Sequence, residues 1–349
     1  MPDNTVAPEV LSLDTEQVRK ILLQTFGVAA LELRAMQSEL ATVYRVDSAD
    51  GRRLAFKASR YSDAELAIAR WRTGAMVRLQ ERGVPVGRVF AVRADAGPEA
   101  GADLAVVETE AGQAIVQLTE WLEGTPLDSL QPSSELLRDV GRVAATVSEG
   151  LKGWPKPPQP IAHPWELTRT LETLAATMPA VSHDSVIWTI LETAFGRFAE
   201  HVADKLPSLP HQVVHHDLHD SNLLVTGDSV TGVLDFGDMV WAPRVAELVV
   251  AGAYASRRSP DPVAALLDVV AGWGNRVPLT AAESDVVFDS VVARLAVNLS
   301  VWTARLASDR GEYAQARSAG VVPVLNAYLA ADRPAVINEI RRWLGPAKN

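Results

Sequence analysis

The chain predicts an α+β protein of two lobes: a small antiparallel-sheet lobe with a helix over residues 1–120, and a larger, mainly helical lobe over 121–349. Three observations predict it. Short β-like runs separated by turn residues crowd the first third of the chain. Helical periodicity dominates after Gly124. One β-like interruption, dense in polar residues, runs from Gln212 to Phe236. At 349 residues the chain is long enough to bury two cores.

Taken in order, Thr15 to Phe26 places Val18, Ile21, Leu22 and Leu23 on one helical stripe. Thr42 to Val46 and Leu54 to Ala58 read as strands joined by Asp47-Ser48-Ala49-Asp50-Gly51, where the glycine supplies the positive φ of a hairpin turn. Asp63 to Arg82 reads as a helix opened after Ser62 and stopped at Gly83. Val84 to Val92, Leu104 to Val107 and Ala114 to Leu122 add further strands to the sheet. Helices are then expected at Ser133 to Glu149, Trp165 to Thr177, Ser185 to Leu206, Val245 to Ala255, Pro262 to Gly272 and Ala281 to Ala307, with two more near the end. The proline-rich stretch Trp154 to Pro164 is an extended connection, too short and too embedded for a domain linker.

Composition narrows the function. Basic side chains number 33 against 43 acidic ones, a net charge of −10 that argues against the basic stripe a nucleic-acid binder needs. With 48% hydrophobic and 22% charged residues, the chain is not one whose main state is disorder. The absence of cysteine removes disulfides, thiolate metal sites and a thiol nucleophile. Met1 to Asp14 has no basic segment ahead of an apolar one. Val245 to Ala255, among the longest apolar runs, is interrupted by Glu247 and falls short of the ~18 residues of a membrane span. A cytoplasmic protein with no nucleic-acid or membrane partner is the expectation.

The polar interruption carries the chemistry. Val213-Val214 leads into His215-His216-Asp217-Leu218-His219-Asp220-Ser221-Asn222, followed by the apolar Leu223-Leu224-Val225. Past the Thr226-Gly227-Asp228 turn, Val233-Leu234 delivers Asp235-Phe236-Gly237-Asp238. An Asp, an Asn five residues on and a second Asp behind a hairpin bring a base and hard oxygen ligands to one place. Such a set suits Mg²⁺, which keeps waters and bridges nucleotide phosphates. His-x-Asp-x-x-x-x-Asn followed by Asp-Phe-Gly is the pattern of a phosphoryl-transfer kinase. That pattern also asks for a strand lysine upstream, and Lys57 fits as the only lysine between Lys20 and Lys152. A zinc site on His211, His215, His216 and His219 is disfavoured, because Asp217 stands where His-x-His-x-Asp-His needs its second histidine.

On these residues the chain resembles the aminoglycoside phosphotransferase/choline kinase family of small-molecule kinases, which share a protein-kinase-like fold. The resemblance runs from about Leu33 to Tyr328. Gly232 to Met239 with Arg244 and Glu247-Leu248, and likewise His163-Pro164-Trp165-Glu166-Leu167, look most like the hydroxylysine kinase branch. The resemblance implies that Asp217 is the catalytic base, that Asn222 and Asp235 hold Mg²⁺, and that Lys57 grips the ATP phosphates. It also implies that Glu120-Trp121-Leu122 is the hinge facing adenine and that His215 buttresses the catalytic loop.

The chain departs from the glycine-rich phosphate loop, since Ala35 to Ala41 contains no glycine. Ser38 and backbone amides are expected to touch the phosphates instead. Glu65 is the candidate partner of Lys57, because the middle of its helix reads Arg70-Trp71-Arg72-Thr73. Arg244 and Glu247 read either as a buried ion pair or helix-end charge, or as a support for the catalytic loops or a wall of the substrate pocket. Asp220, Asp238 and Glu247 are the carboxylates expected to meet the acceptor, with Asp238 beside its amine. The resulting expectation is an ATP- and Mg-dependent phosphotransferase, monomeric or homodimeric. It would act on a hydroxyl of a small amine-bearing metabolite, a hydroxylysine-like amino acid or an amino alcohol. The alternatives are an aminoglycoside or macrolide kinase, and a nucleotide-binding protein without transfer activity.

Overall fold

The structure is a computed structural model that describes residues 11–36, 38, 41–95, 101–306, 315, 318 and 320–344. The described chain up to Glu123, with Pro157–Gln159, packs as one unit; Gly124–Lys156 and the described residues from Pro160 onward pack as a second.

In the first unit, helix α1 (Thr15–Ile21) opens at Asp14, whose carboxylate accepts the N–H groups of Glu16 and Gln17. It continues as a wider turn over Leu22–Phe26 and stops at Gly27. Five strands follow: β1 (Ala30–Met36), β2 (Thr42–Ser48), β3 (Arg53–Arg60), β4 (Ala105–Thr109) and β5 (Gly112–Glu120). They form an antiparallel sheet in the order β1-β2-β3-β5-β4. Alternation sends Val46, Leu54, Phe56, Ala58, Val116 and Leu118 to one buried face, clustered with Val18 and Leu22. Lys57 therefore points to the other face, in register with Val43 on β2 and Gln117 on β5. Helix α2 (Asp63–Glu81), capped by Ser62, reaches that second face: Gln117 donates to Thr73 Oγ1 at 2.7 Å.

Two sheet elements differ from expectation. Val84 to Val92 is not a strand and keeps only an isolated bridge between Val89 and Thr119, because Pro85 lacks a donor and breaks the ladder. Conversely, β1 is not among the expected strands although Leu31-Glu32-Leu33-Arg34-Ala35 alternates; as a sheet edge it leaves most of its side chains exposed, Leu31 included.

The second unit is built on helices α3 (Ser134–Leu151), α4 (Thr170–Thr177), α5 (Val186–His201), α6 (Val245–Ser256), α7 (Pro262–Gly274) and α8 (Ala281–Arg305), with Val321–Ala330 and Arg333–Ile340 beyond them. Side-chain caps from Ser133, Ser185, Asp261 and Thr280 fix the starts of α3, α5, α7 and α8. The helix expected from Trp165 starts later: Leu167–Arg169 is a 3₁₀ turn and α4 begins at Thr170, which leaves Trp165 in irregular chain. Helix α8 is, among the described residues, the one helix long and apolar enough to cross a membrane. Its most apolar stretch is 94% buried inside the protein, as a central core helix would be. Two small antiparallel sheets complete the unit. One joins β6 (Thr125–Pro126), β8 (Leu223–Thr226) and β9 (Ser229–Val233); the other pairs β7 (His211–Val214) with β10 (Val240–Pro243). Between them they hold both ends of the polar segments His215–Asn222 and Leu234–Met239.

Candidate active site

The loop between β7 and β8 and the turn after β9 contain the two non-glycine residues with positive φ among those described, His216 at 69° and Asp235 at 53°. A left-handed backbone at such residues costs free energy and persists only where neighbours enforce it. At His216 the enforcement is visible. Glu247, fully buried on the first turn of α6, accepts the N–H of His215 at 2.7 Å through Oε2 and the N–H of His216 at 3.2 Å through Oε1. Burial pushes the Glu247 carboxyl up to about 7, against the opposing pull of those two N–H groups.

Inside the loop, the side chains organise Asp217. Asn222 Nδ2 donates to the Asp217 carbonyl at 3.0 Å and to its Oδ2 at 2.7 Å. His219 Nδ1 accepts the Ser221 N–H at 3.1 Å, so its proton sits on Nε2, 3.5 Å from the same Oδ2. The Asp217 N–H in turn donates to His215 Nδ1 at 3.2 Å. His215 is fully buried, packs edge-on against Phe236 with ring centroids 4.5 Å apart, and burial depresses its pKa to about 4. It is a neutral strut joining the loop to the turn. Asp235 belongs to the same assembly: the Leu234 N–H donates to the Asn222 carbonyl at 2.9 Å, and Asp235 Oδ1 accepts the Gly237 N–H at 3.0 Å. Asp238 lies 3.7 Å from His163 Nδ1, whose ring stacks on His216 at 6.5 Å.

No group of three or more His, Asp or Glu among the described residues could hold a metal by itself. Asn222 and Asp235 offer instead a sparse oxygen pair, since the Asn222 amide nitrogen is committed to Asp217 and its Oδ1 remains as an acceptor. Such a pair fits an ion that keeps waters and takes further oxygens from phosphates.

The model of the phosphotransferase enzyme family matches residues 32–283, well over half of the chain. The chain belongs to the phosphotransferase enzyme family. Among relatives of this phosphotransferase, the hydroxylysine kinase of Danio rerio is 27% identical over 302 residues, covering 82% of this chain and 83% of the relative. The hydroxylysine kinase of Mus musculus is 29% identical over 214 residues, 57% of this chain and 56% of its own. Among solved structures, a microcompartment-associated aminopropanol kinase aligns with a TM-score of 0.66 at 18% identity, covering 91% of this chain and 98% of its own. A spectinomycin phosphotransferase in complex with ADP and spectinomycin aligns with a TM-score of 0.61 at 12% identity, covering 93% and 100%. At those identities the structural likeness carries the fold, which is the protein-kinase-like one. With the family it makes this protein a small-molecule kinase.

Several expected site residues sit differently in this phosphotransferase. Asp220 is buried, and its Oδ2 accepts from Arg257 Nε at 3.1 Å and Arg258 Nε at 2.6 Å. Glu247 is committed to the loop backbone. In this structure both carboxylates are thus occupied by groups of the protein itself, Asp220 by two guanidinium groups and Glu247 by two backbone N–H groups. Arg244 does not pair with Glu247; it pairs with Glu283 at 2.7 Å. Lys57, Glu120, Trp121 and Leu122 belong to the other unit. There Trp121 N–H donates to the Arg53 carbonyl, the Glu120 N–H donates to the Arg88 carbonyl, and Glu65 is exposed in the first turn of α2. Of the expected phosphate loop, Ala35 and Met36 are part of β1 and Ser38 is exposed, while Gln37, Glu39 and Leu40 lie outside the described residues. Sequence reasoning missed His219 as a partner of Asp217. Its signal was present as a third histidine, two residues after the aspartate.

Proposed function

We propose that this phosphotransferase moves the γ-phosphoryl group of ATP to a hydroxyl of a small amine-bearing metabolite, a hydroxylysine-like amino acid or an amino alcohol. The observation that carries the proposal is the convergence on Asp217: one carboxylate oriented by Asn222 and His219, tied through a backbone bond to the segment bearing Asp235. In this reading Asp217 accepts a hydrogen bond from the acceptor hydroxyl and takes its proton as the oxygen attacks the γ-phosphorus. The new O–P bond forms as the bond from the γ-phosphorus to the bridging oxygen breaks, and ADP departs. Asn222 and Asp235 hold Mg²⁺, which when bound offsets phosphate charge. Lys57 and Ser38 hold the phosphates, Glu120-Trp121-Leu122 meets adenine, and Asp238 meets the acceptor's ammonium group. Positioning and charge neutralisation supply most of the catalysis in phosphoryl transfer, so a few fixed polar groups suffice.

The relatives named hydroxylysine kinase support a metabolite acceptor. The test is ADP release across hydroxylysine, homoserine, ethanolamine, choline, aminoglycosides and macrolides. Turnover of a metabolite is expected. Turnover of the antibiotics alone would make the enzyme an antibiotic kinase, and turnover of nothing, with ATP bound, would make it a nucleotide-binding protein. Thermal stabilisation by ATP should require magnesium and vanish in Asp235→Ala; stabilisation that survives would refute Asp235 as a ligand.

A further inference from the structure

Asp220 shares a loop with Asp217 and is only 1% exposed, yet it draws two cations. Arg257 Nε at 3.1 Å and Arg258 Nε at 2.6 Å both donate to its Oδ2. Other buried carboxylates of this unit are matched by one guanidinium: Glu283 has Arg244, and Asp289 has Arg333. Neutralising a buried charge takes one cation, so the second is in excess of what burial asks. Both bonds end on Oδ2. Asp220 Oδ1 is buried with no hydrogen-bond partner and faces His219 Nδ1 at 3.8 Å.

His219 therefore stands between two carboxylates, with Nε2 3.5 Å from Asp217 Oδ2 and Nδ1 beside Asp220 Oδ1. A neutral imidazole has one ring proton, and the group facing one nitrogen decides which of the two carries it. An uncompensated Asp220 would draw that proton to Nδ1, away from Asp217. The two guanidinium groups offset its charge, while the Ser221 N–H donates to Nδ1 at 3.1 Å and occupies the lone pair there. Ser221 is fixed in turn: its Oγ donates to Asp128 Oδ2 at 2.8 Å, and the Asp128 N–H donates to the Asp220 carbonyl at 3.1 Å.

Arg257 also reaches the imidazole by a second route. Its guanidinium lies 5.2 Å from the Tyr254 ring centroid, and that ring lies 5.6 Å from the ring of His219. The Tyr254 hydroxyl is held by Asn298 Nδ2 at 3.1 Å. Arg257 and Arg258 follow α6 directly, so one helix holds the start of the loop through Glu247 and its far side through these two residues.

We propose that Arg257 and Arg258 are positioning residues for the phosphoryl transfer: by binding Asp220 they keep the His219 proton on Nε2, aimed at Asp217. The proposal rests on Asp217 as the base and assigns two residues that act on it through His219.

The test pairs ¹⁵N NMR of the histidine rings, in the full chain at neutral pH, with a kinetic double-mutant cycle. The His219 signals, identified by their loss in His219→Phe, should be those of the Nε2–H form in the wild-type protein. They should move away from that form in Arg257→Met and in Arg258→Gln. Arg257→Met should lower kcat by roughly 10-fold with KM for ATP and acceptor within about 2-fold, and Arg257→Lys should recover part of the loss. Added to His219→Phe, Arg257→Met should cost nothing further, because both act on Asp217 by one path. Unmoved His219 signals in the folded variants would overturn the proposal, as would losses of kcat that simply multiply in the double variant. The Arg258 side chain is 31% exposed, so Arg258→Gln carries the test if Arg257→Met fails to fold. Full turnover by Asp217→Asn would instead refute Asp217 as the base, a result read in a different variant, which keeps the two failures apart.

Discussion

Two buried glutamates of the second unit are held in opposite ways. Glu283, at the start of α8, meets Arg244 at 2.7 Å and caps its own helix by accepting the Thr280 N–H. Its charge is matched by a side chain and it serves the scaffold. Glu247, equally buried, has two backbone N–H groups and no cation within ion-pair distance among the described residues. It fixes the residues leading into Asp217, and burial pushes its carboxyl up to about 7. The two oxygens of one carboxyl hold two consecutive backbone N–H groups, and burial without a counter-ion is what makes that carboxyl keep its proton to higher pH. The scaffold neutralises its carboxylate, whereas the loop bearing Asp217 uses one as a bidentate clamp.

The largest effect tests what the clamp is for. Asp217→Asn should lower kcat by about 10²- to 10⁴-fold, the usual worth of a positioned general base, while ATP still binds and the melting temperature barely moves. Retained turnover would remove Asp217 as the base. The next test breaks the two glutamates separately. Glu247→Ala strands two buried N–H groups and should cost about 2–4 kcal/mol in denaturant unfolding, with kcat falling even in the folded fraction. Glu283→Ala leaves Arg244, whose side chain is 22% exposed and can hydrate, so about 1–2 kcal/mol should be lost with kcat near wild type. Equal losses of kcat in both would erase the contrast. A smaller effect is expected from His219→Phe, which removes the imidazole 3.5 Å from Asp217 Oδ2 and should lower kcat by roughly 10-fold.

The architecture was legible where signals are local. Capping residues such as Ser62, Ser133 and Thr280 mark helix starts within one turn, and the loop and turn around Asp217 and Asp235 are short enough to read as one constellation. What stayed hidden depends on partners far along the chain. Glu247 acts on residues about thirty positions upstream, and Arg257 and Arg258 reach back a similar distance to Asp220. Edge strand β1 alternates only briefly, Leu31 and Leu33 around Glu32 and Arg34, and it pairs on one side alone, so little in so short a run set it apart.

The clamp and the strut beside it also predict opposite pH dependences. His215, depressed to about 4 by burial, resists the proton that an unfolded histidine takes up near 6.5. Its contribution to stability is complete above that pH and is lost as pH falls toward 4, so stability rises with pH across the window. Glu247, raised to about 7, keeps a proton that an unfolded glutamate gives up near 4.5. Its contribution is complete below 4.5 and is lost as pH climbs toward 7, so stability falls with pH. Each shift corresponds to about 3 kcal/mol, and between pH 4.5 and 6.5 the two slopes cancel. Urea unfolding of the wild-type protein should therefore show little pH dependence from this pair. Glu247→Gln should expose the rising slope of His215, and His215→Gln the falling slope of Glu247. Parallel profiles for all three proteins would mean that neither group titrates as its burial demands, and the contrast with the matched Arg244–Glu283 pair would lose its electrostatic basis.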